Sequence, residues 1–266
     1  MLILEEIYIY PIKSLPGVRV KASAVKEKGL EYDRRMMLVD STGNFLTQRT
    51  LPILSQFTTE LEGRILNVQS KSNPDRKISI DLNGPFTGEN FLSRVWEDEV
   101  ETIEIDPALS SWFSQEISMP CKLVYFPEAS ERITDPDYVP QKQQVSLSDG
   151  FPFLIVGRES LRDLNTRLSA PITMNRFRPN LVFSGGQPYQ EDNFNSFKIG
   201  DAIFKGVKPC ARCIFTTVDP VTGITGKEPL QTLSGYRKRN NQIYFGMNLI
   251  TMNEQTIHEG DEIHLY

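Results

Sequence analysis

Residues 205–219 read KGVKPCARCIFTTVD and hold two of the chain's three cysteines, Cys210 and Cys213, with Arg212 between them. Ile214 to Val218 is a β-branched and aromatic run, and Asp219-Pro220 is a turn signal. The pattern predicts a turn that presents thiols and then enters a strand. A Cys-x-x-Cys pair has four readings. It can be half of a zinc site, which here would have to recruit Cys121 and one of His258 and His264. It can be a redox dithiol, which belongs at the start of a helix rather than ahead of strand-forming residues. It can be an inert buried pair. It can lend one thiolate to a soft or high-valent metal carried by a cofactor, where a positive neighbour such as Arg212 favours the thiolate. Spacing alone leaves all four open.

Composition narrows the class. At 266 residues the chain can form one large domain or two small ones, each with a real core. Lys plus Arg total 29 against 34 Asp plus Glu, so the net charge of −5 argues against a general nucleic-acid binder while leaving room for a local basic cavity. An odd number of cysteines argues against a disulfide framework. The start MLILEEIYIYPIKS has neither a basic leader nor a small-residue cleavage signal, and no apolar run is long enough to span a membrane.

Taken in order, the N-terminal third reads as β. Strands are expected over Leu2–Tyr10 and Val18–Val25. A hairpin follows, from Met36–Val39 through Asp40-Ser41-Thr42-Gly43 to Phe45–Arg49, and further strands at Ile53–Thr59, Ile65–Gln69 and Ile78–Leu82. Arg94–Ile105 reads as two short strands about Glu97-Asp98. Asp106–Glu116 reads as a helix capped by Asp106 with Pro107 in its first turn. Cys121–Phe126 is a strand whose thiol is expected to be buried and inert, and residues 127–144 a covering loop. Leu161, Leu164 and Leu168 line one face of a helix over Glu159–Leu168. In Asn175-Arg176-Phe177-Arg178-Pro179-Asn180, alternation puts Arg176 and Arg178 on the same side of an extended segment. Phe194–Ile199, Ala202–Lys208 and Cys213–Val218 then read as successive strands of a barrel, and Glu228–Tyr236 as partly helical. Two histidines near charged turns, and no G-x-S-x-G elbow, make histidine acid–base chemistry and a serine hydrolase poor readings.

Several stretches carry a resemblance. PCARCIFTTVDPVTG (209–223) with KEPLQTLSGYR (227–237), YPIKS (10–14), GLEYDRRMMLVD (29–40), SDGFP (148–152), SLRDLNTRL (160–168), FRPN (177–180) and TIHEGDEI (256–263) together resemble the MOSC-domain family of the mitochondrial amidoxime-reducing component and its bacterial relatives. The resemblance covers nearly the whole chain. It implies a mainly β fold with α+β elements: a β-rich N-terminal domain over residues 1–105, a MOSC β-barrel over residues 106–266, and a cofactor cleft between them. It implies a molybdenum–pterin cofactor whose metal is ligated by Cys213, with Lys13, Ser14 and Arg34 on the pterin and its phosphate and Arg178 binding the cofactor. Asp149, Ala211, Arg212 and Asn248 complete the implied contacts. Arg35 is expected to face solvent. Gly150 and Phe151 stand where the animal enzymes carry small and hydroxyl residues, and Asn248 where they carry a tyrosine, so contacts there are expected to differ.

The implied activity is two-electron reduction of small N-hydroxylated compounds: amidoximes, hydroxylamines and N-hydroxylated bases. Electrons would come from a separate flavin, haem or iron–sulfur protein, since no further cysteine cluster follows the barrel in this chain. No nucleic-acid partner and no membrane span are expected. A chain that begins directly at its first strand is expected in the cytoplasm. The competing readings are a molybdenum-cofactor carrier or sulfur-transfer protein, and a non-enzymatic module with an inert Cys-x-x-Cys pair.

Overall fold

The computed structural model describes residues 1–86 and 88–266. Its largest element is a closed seven-stranded barrel. The order is Phe153–Gly157, Leu181–Ser184, Leu2–Ile9, Glu262–Leu265, Ser196–Ile199, Ala202–Arg212 and Gln242–Thr251. The last strand returns to the first through Phe153↔Leu249, Leu154↔Asn248 and Ile155↔Met247. Closure leaves these strands no open edge. Phe153–Gly157 and Leu181–Ser184 run parallel, and the helix Arg158–Arg167 makes the crossover that such a pair requires.

Alternation turns side chains inward, and the core they form joins aliphatic residues such as Leu4, Ile7, Ile155 and Leu249 to a group of phenylalanines. Phe153, Phe183, Phe194, Phe197 and Phe204 are all buried, with ring pairs such as Phe153–Phe204 at 5.4 Å edge to face and Phe194–Phe197 at 4.9 Å. Gly206 is required by a close approach: a Cβ there would lie 1.8 Å from the Phe194 carbonyl oxygen.

The chain between residues 36 and 125 builds a second core. One sheet runs Met36–Val39, Lys122–Tyr125, Asp98–Glu104, Asn90–Val95, and another Phe57–Glu62, Ile65–Ser70, Lys77–Asp81. The helix Pro107–Glu116 covers it with Phe113, and Asp106 caps that helix by accepting from the Ala108 amide at 2.7 Å. Cys121 is buried in this core, where burial pushes its thiol pKa up, as expected of an inert thiol.

Four local expectations are corrected. Ile53–Thr59 is a 3-10 turn over Pro52–Ser55 followed by a strand over Phe57–Glu62; Pro52 opens the turn and Leu54 anchors it in the core. Phe45–Arg49 makes a single bridge, Val39↔Phe45, and then coils, because Thr50 and Leu51 both donate back to the Thr47 carbonyl. Asn175–Phe177 is not extended: Met174–Arg176 is a 3-10 turn, and Arg178 adopts φ 52°. Cys213–Val218 is not a strand. The strand Ala202–Arg212 ends at the thiols, and Ile214–Thr217 coils into a 3-10 turn. Hydroxyls override β propensity there, since Thr216 Oγ1 donates to Cys213 O at 3.0 Å and Thr217 Oγ1 to Ile214 O at 2.7 Å.

Gly206→Ala should lower stability by about 1–3 kcal/mol through overpacking against Phe194, read as a reduced urea midpoint.

Candidate functional site

The strand Ala202–Arg212 is irregular where it reaches the thiols. Its pairing with Gln242–Thr251 slips between Gly206 and Lys208 and again between Pro209 and Ala211. Bulges re-aim side chains. Here they let Lys208, Cys210, Ala211, Arg212 and Cys213 all line one cavity of about 270 Å³, which a strictly alternating strand could not do. Pro209, which cannot donate to a ladder, is tolerated at such a slip.

The same cavity is lined by residues from other segments: Lys13, Ser14, Arg34, Asp149, Arg178 and Asn248, the last paired with Lys208 on the neighbouring strand. All nine residues that the sequence put forward as a site therefore meet at this one cavity. Three of them hold left-handed backbone, Ser14 at φ 70°, Arg34 at φ 48° and Arg178 at φ 52°. Non-glycine residues rarely do so, and each costs on the order of 1 kcal/mol or more, which surrounding contacts must offset.

Those contacts are specific. Arg34 Nη1 donates to both oxygens of buried Asp33, at 2.9 and 2.7 Å, and to Asn180 Oδ1 at 3.1 Å; Nη2 donates to the Arg178 carbonyl at 3.2 Å. Asn180 also donates to Tyr8 O at 3.2 Å, so it pins the entry of its strand. Arg34 and Arg178 share the Tyr10 ring, with guanidinium carbons 4.2 and 4.1 Å from its centroid. Arg178 donates to the Leu15 carbonyl and, among the described residues, makes no salt bridge. Burial draws its guanidinium down to about 10.

A polar chain crosses the cavity mouth. Lys13 Nζ donates to Leu147 O at 2.8 Å and to Asp149 Oδ1 at 2.6 Å. Asp149 Oδ2 accepts from Arg49 Nη2 at 2.9 Å, and Arg49 Nε donates to the Cys213 sulfur at 3.3 Å. Crowding by the cavity walls pushes the Asp149 carboxyl up although its side chain is 57% exposed, but Lys13 and Arg49 outweigh that push and hold the group well below the usual carboxylate range. Burial pulls the Lys13 ammonium down to about 8 although Asp149 opposes the shift. Cys213 is exposed to the cavity, whereas Cys210 is half-buried and its sulfur accepts from Arg212 Nη1 at 2.9 Å. Arg212 Nε is buried without a partner.

Among the described residues the cavity presents six cationic side chains, those of Lys13, Arg34, Arg49, Arg178, Lys208 and Arg212, against one carboxylate, Asp149. Such a wall suits a polyanionic ligand, and an exposed thiol at its edge suits a soft metal. Cys121 lies in the second core, and both histidines are exposed and outside the cavity wall, so the pair gains no third zinc ligand from them.

Other candidates fall elsewhere. The 3-10 turn carries Arg176 to Asp219, at 2.8 Å, beside a second cavity of about 410 Å³. Arg35 does not face solvent: it donates to Phe126 O at 2.8 Å and pairs with Glu128 at 2.8 Å. Asn165 ties its helix to the following loop through both the amide and the carbonyl of Ile172. Sequence reasoning missed Arg49, Lys208 and Phe215. Arg49 gave no signal, being one arginine in a polar stretch read as a strand.

The Lys13 shift sets a pH dependence. Between about pH 8 and the ordinary lysine value near 10.5, the unfolded chain holds a proton that the folded protein has released. Stability therefore rises with pH across that window. Relative to Lys13→Met, the wild type should gain on the order of 1 kcal/mol between about pH 7 and about pH 9.5, measured by urea unfolding.

Known proteins resemble this chain over nearly its whole length. Residues 1–120 match the MOSC N-terminal beta barrel domain and residues 142–264 the MOSC domain. Mitochondrial amidoxime-reducing component 1 of Homo sapiens is 34% identical over 279 residues, covering 98% of this chain and 82% of that protein. Molybdenum cofactor sulfurase of Oryza sativa subsp. japonica is 33% identical over 277 residues, which is 97% of this chain but 33% of the sulfurase. Among solved structures, the YUAD protein of Bacillus subtilis aligns over 100% of this chain and 97% of its own, at a TM-score of 0.47 and 11% identity. The chain belongs to the MOSC family and pairs the family's N-terminal beta barrel domain with a MOSC domain.

Proposed function

We propose that this chain is a molybdenum-cofactor-dependent reductase of N-hydroxylated compounds. One observation carries the reading. An exposed Cys213 thiol meets six cationic side chains in a single cavity, in a chain 34% identical to an amidoxime-reducing component. MOSC membership, beside relatives named for amidoxime reduction and for the molybdenum cofactor, makes this a molybdenum-cofactor protein.

The residues fit that group. A phosphorylated pterin needs cations and hydroxyl donors, which Lys13, Ser14, Arg34 and Arg178 supply. The unpartnered Nε–H of Arg212 is a buried donor left over for a ligand. Asp149, Ala211 and Asn248 border the same space and would meet the cofactor's polar edges. The Cys213 thiolate would ligate the metal. Cys210 stays outside the ligand set because it is half-buried and packs against a hydrophobic cluster, whereas Cys213 is exposed.

When bound, the cofactor supplies the two-electron chemistry. The balance is R–NH–OH with two electrons and two protons going to R–NH2 and water. The protein's part is to neutralise the cofactor's anionic charge, fix its orientation and leave the Cys213 side open to small amidoximes, hydroxylamines and N-hydroxylated bases. Electrons come from a separate flavin, haem or iron–sulfur protein. With three cysteines, one of them in the second core, this chain lacks the four thiolates of an iron–sulfur cluster. Among the described residues no helix is long and apolar enough to cross a membrane. The proposal sets the domain division beyond Lys122–Tyr125 rather than at residue 105, since that strand and the helix Pro107–Glu116 complete the second core, and it retains a cytoplasmic location.

A second reading, a cofactor carrier or sulfur-transfer protein, is favoured by the sulfurase match, which spans nearly all of this chain. The experiment separating the two uses protein from a host that makes the cofactor. Near-stoichiometric molybdenum, with reduction of an amidoxime by a reduced artificial donor, is expected. Cys213→Ser should lower both at least about tenfold, whereas Cys210→Ser should keep the metal. Molybdenum-loaded protein inert toward every N-hydroxylated compound would support the carrier. A folded protein carrying zinc or no metal would remove both readings.

A further inference from the structure

Arg49 lies in the coil that replaces the expected return strand of the first hairpin, 164 residues from Cys213 in sequence. Its guanidinium is held on every side. Nε donates to the Cys213 sulfur at 3.3 Å, Nη1 to Thr47 Oγ1 at 3.2 Å and Nη2 to Asp149 Oδ2 at 2.9 Å. The rings of Trp96 and Phe215 lie 4.6 and 5.5 Å from the guanidinium carbon. The side chain is 18% exposed and lines the cavity. A free surface arginine would not be fixed by three partners and two rings, since it would lose its rotamer entropy for little return.

The direction of the Nε–H is the informative part. Of the two thiols in the pair, Arg212 engages Cys210 and Arg49 engages Cys213. The two sulfurs therefore have separate cationic partners from unrelated parts of the chain, and Cys213 is the exposed one. The polar chain from Lys13 through Asp149 anchors Arg49 from behind, so its hydrogen bond to sulfur is oriented rather than incidental.

We propose that Arg49 is a positioning residue for Cys213: it aims the sulfur into the cavity and, by donating a hydrogen bond to it, tunes the metal that this sulfur holds. This rests on the cofactor reading given above. A charged hydrogen bond to a ligating thiolate withdraws electron density from sulfur and stabilises the more electron-rich, reduced metal. Arg49 thereby favours the state from which an N–O bond is reduced. Asp149 orients Arg49 by accepting from its Nη2.

The test compares wild type, Arg49→Lys and Arg49→Met, all purified with cofactor. Methionine keeps an apolar stem between Trp96 and Phe215 while removing the donors. Thermal melts and molybdenum content are recorded first, and then the midpoint potential and the paramagnetic signal of the half-reduced metal. The expected result is a more negative potential and a shifted signal in Arg49→Met. Arg49→Lys, which keeps one cationic donor, should recover part of both shifts. An unchanged potential and signal in a loaded Arg49→Met protein would overturn the proposal, whatever happened to its melting temperature. So would an Arg49→Lys protein no closer to wild type than Arg49→Met. If Arg49→Met loads too little metal for a potential, the cofactor-free proteins decide. There, disordered Cys213 side-chain signals in Arg49→Met by NMR, against a single ordered set in wild type, support the positioning role, and identical signals overturn it. Wild type that takes up no molybdenum is a different failure, that of the cofactor reading itself.

Discussion

The pairing of Leu2–Ile9 inside the barrel is the constraint on which the site depends. This strand lies between Leu181–Ser184 and Glu262–Leu265, so the first residues of the chain are locked among strands from its last third. Tyr10 follows directly. Its amide donates to Asp33 at 2.8 Å and its hydroxyl to the Pro179 carbonyl at 3.0 Å. One tyrosine thus holds the Asp33-Arg34 turn and the Arg178 turn against each other, and Arg178 reaches the end of the Lys13-Ser14 turn through the Leu15 carbonyl. The left-handed backbone at Ser14, Arg34 and Arg178 is the local expense of that junction.

The same junction explains how so many cations coexist. Arg34 is neutralised by Asp33, and Lys13 and Arg49 by Asp149, but Arg178 and Arg212 rest on backbone carbonyls and aromatic faces. Holding positive charge in a half-closed space without matching carboxylates is unfavourable for folding. It makes sense as preorganisation: the field that an anionic ligand will meet is built before the ligand arrives, and binding returns the electrostatic cost. The two bulges in Ala202–Arg212 belong to the same arrangement. They sacrifice ladder hydrogen bonds to turn a run of side chains onto one wall.

Periodicity, capping and family motifs went a long way toward this description. The helices at 107–116 and 158–167, most strands, the buried Cys121 and nine cavity residues were legible before any coordinates. At Ile214–Thr217 threonine hydroxyls outcompeted β propensity, and at Met174–Arg176 a turn followed by left-handed Arg178 replaced the extended segment that alternation assumes. At the first the winning interaction is itself local, side chain to backbone within one turn; at the second the bend seats Arg178 against the Tyr10 ring.

By itself, the sequence determined the mainly β character, the elements with strong periodicity and the residue types that a charged, thiol-bearing site requires. Those are local properties, carried by spacing, turn chemistry and motif. Only the tertiary structure decided which cations surround which sulfur. Arg49 reaches Cys213 across 164 residues because a coil at Thr47–Leu51 takes the place of a strand, and Arg212 turns to Cys210 rather than to its other neighbour. No spacing rule encodes contacts of that kind, since they depend on where separate segments come to rest once the barrel has closed.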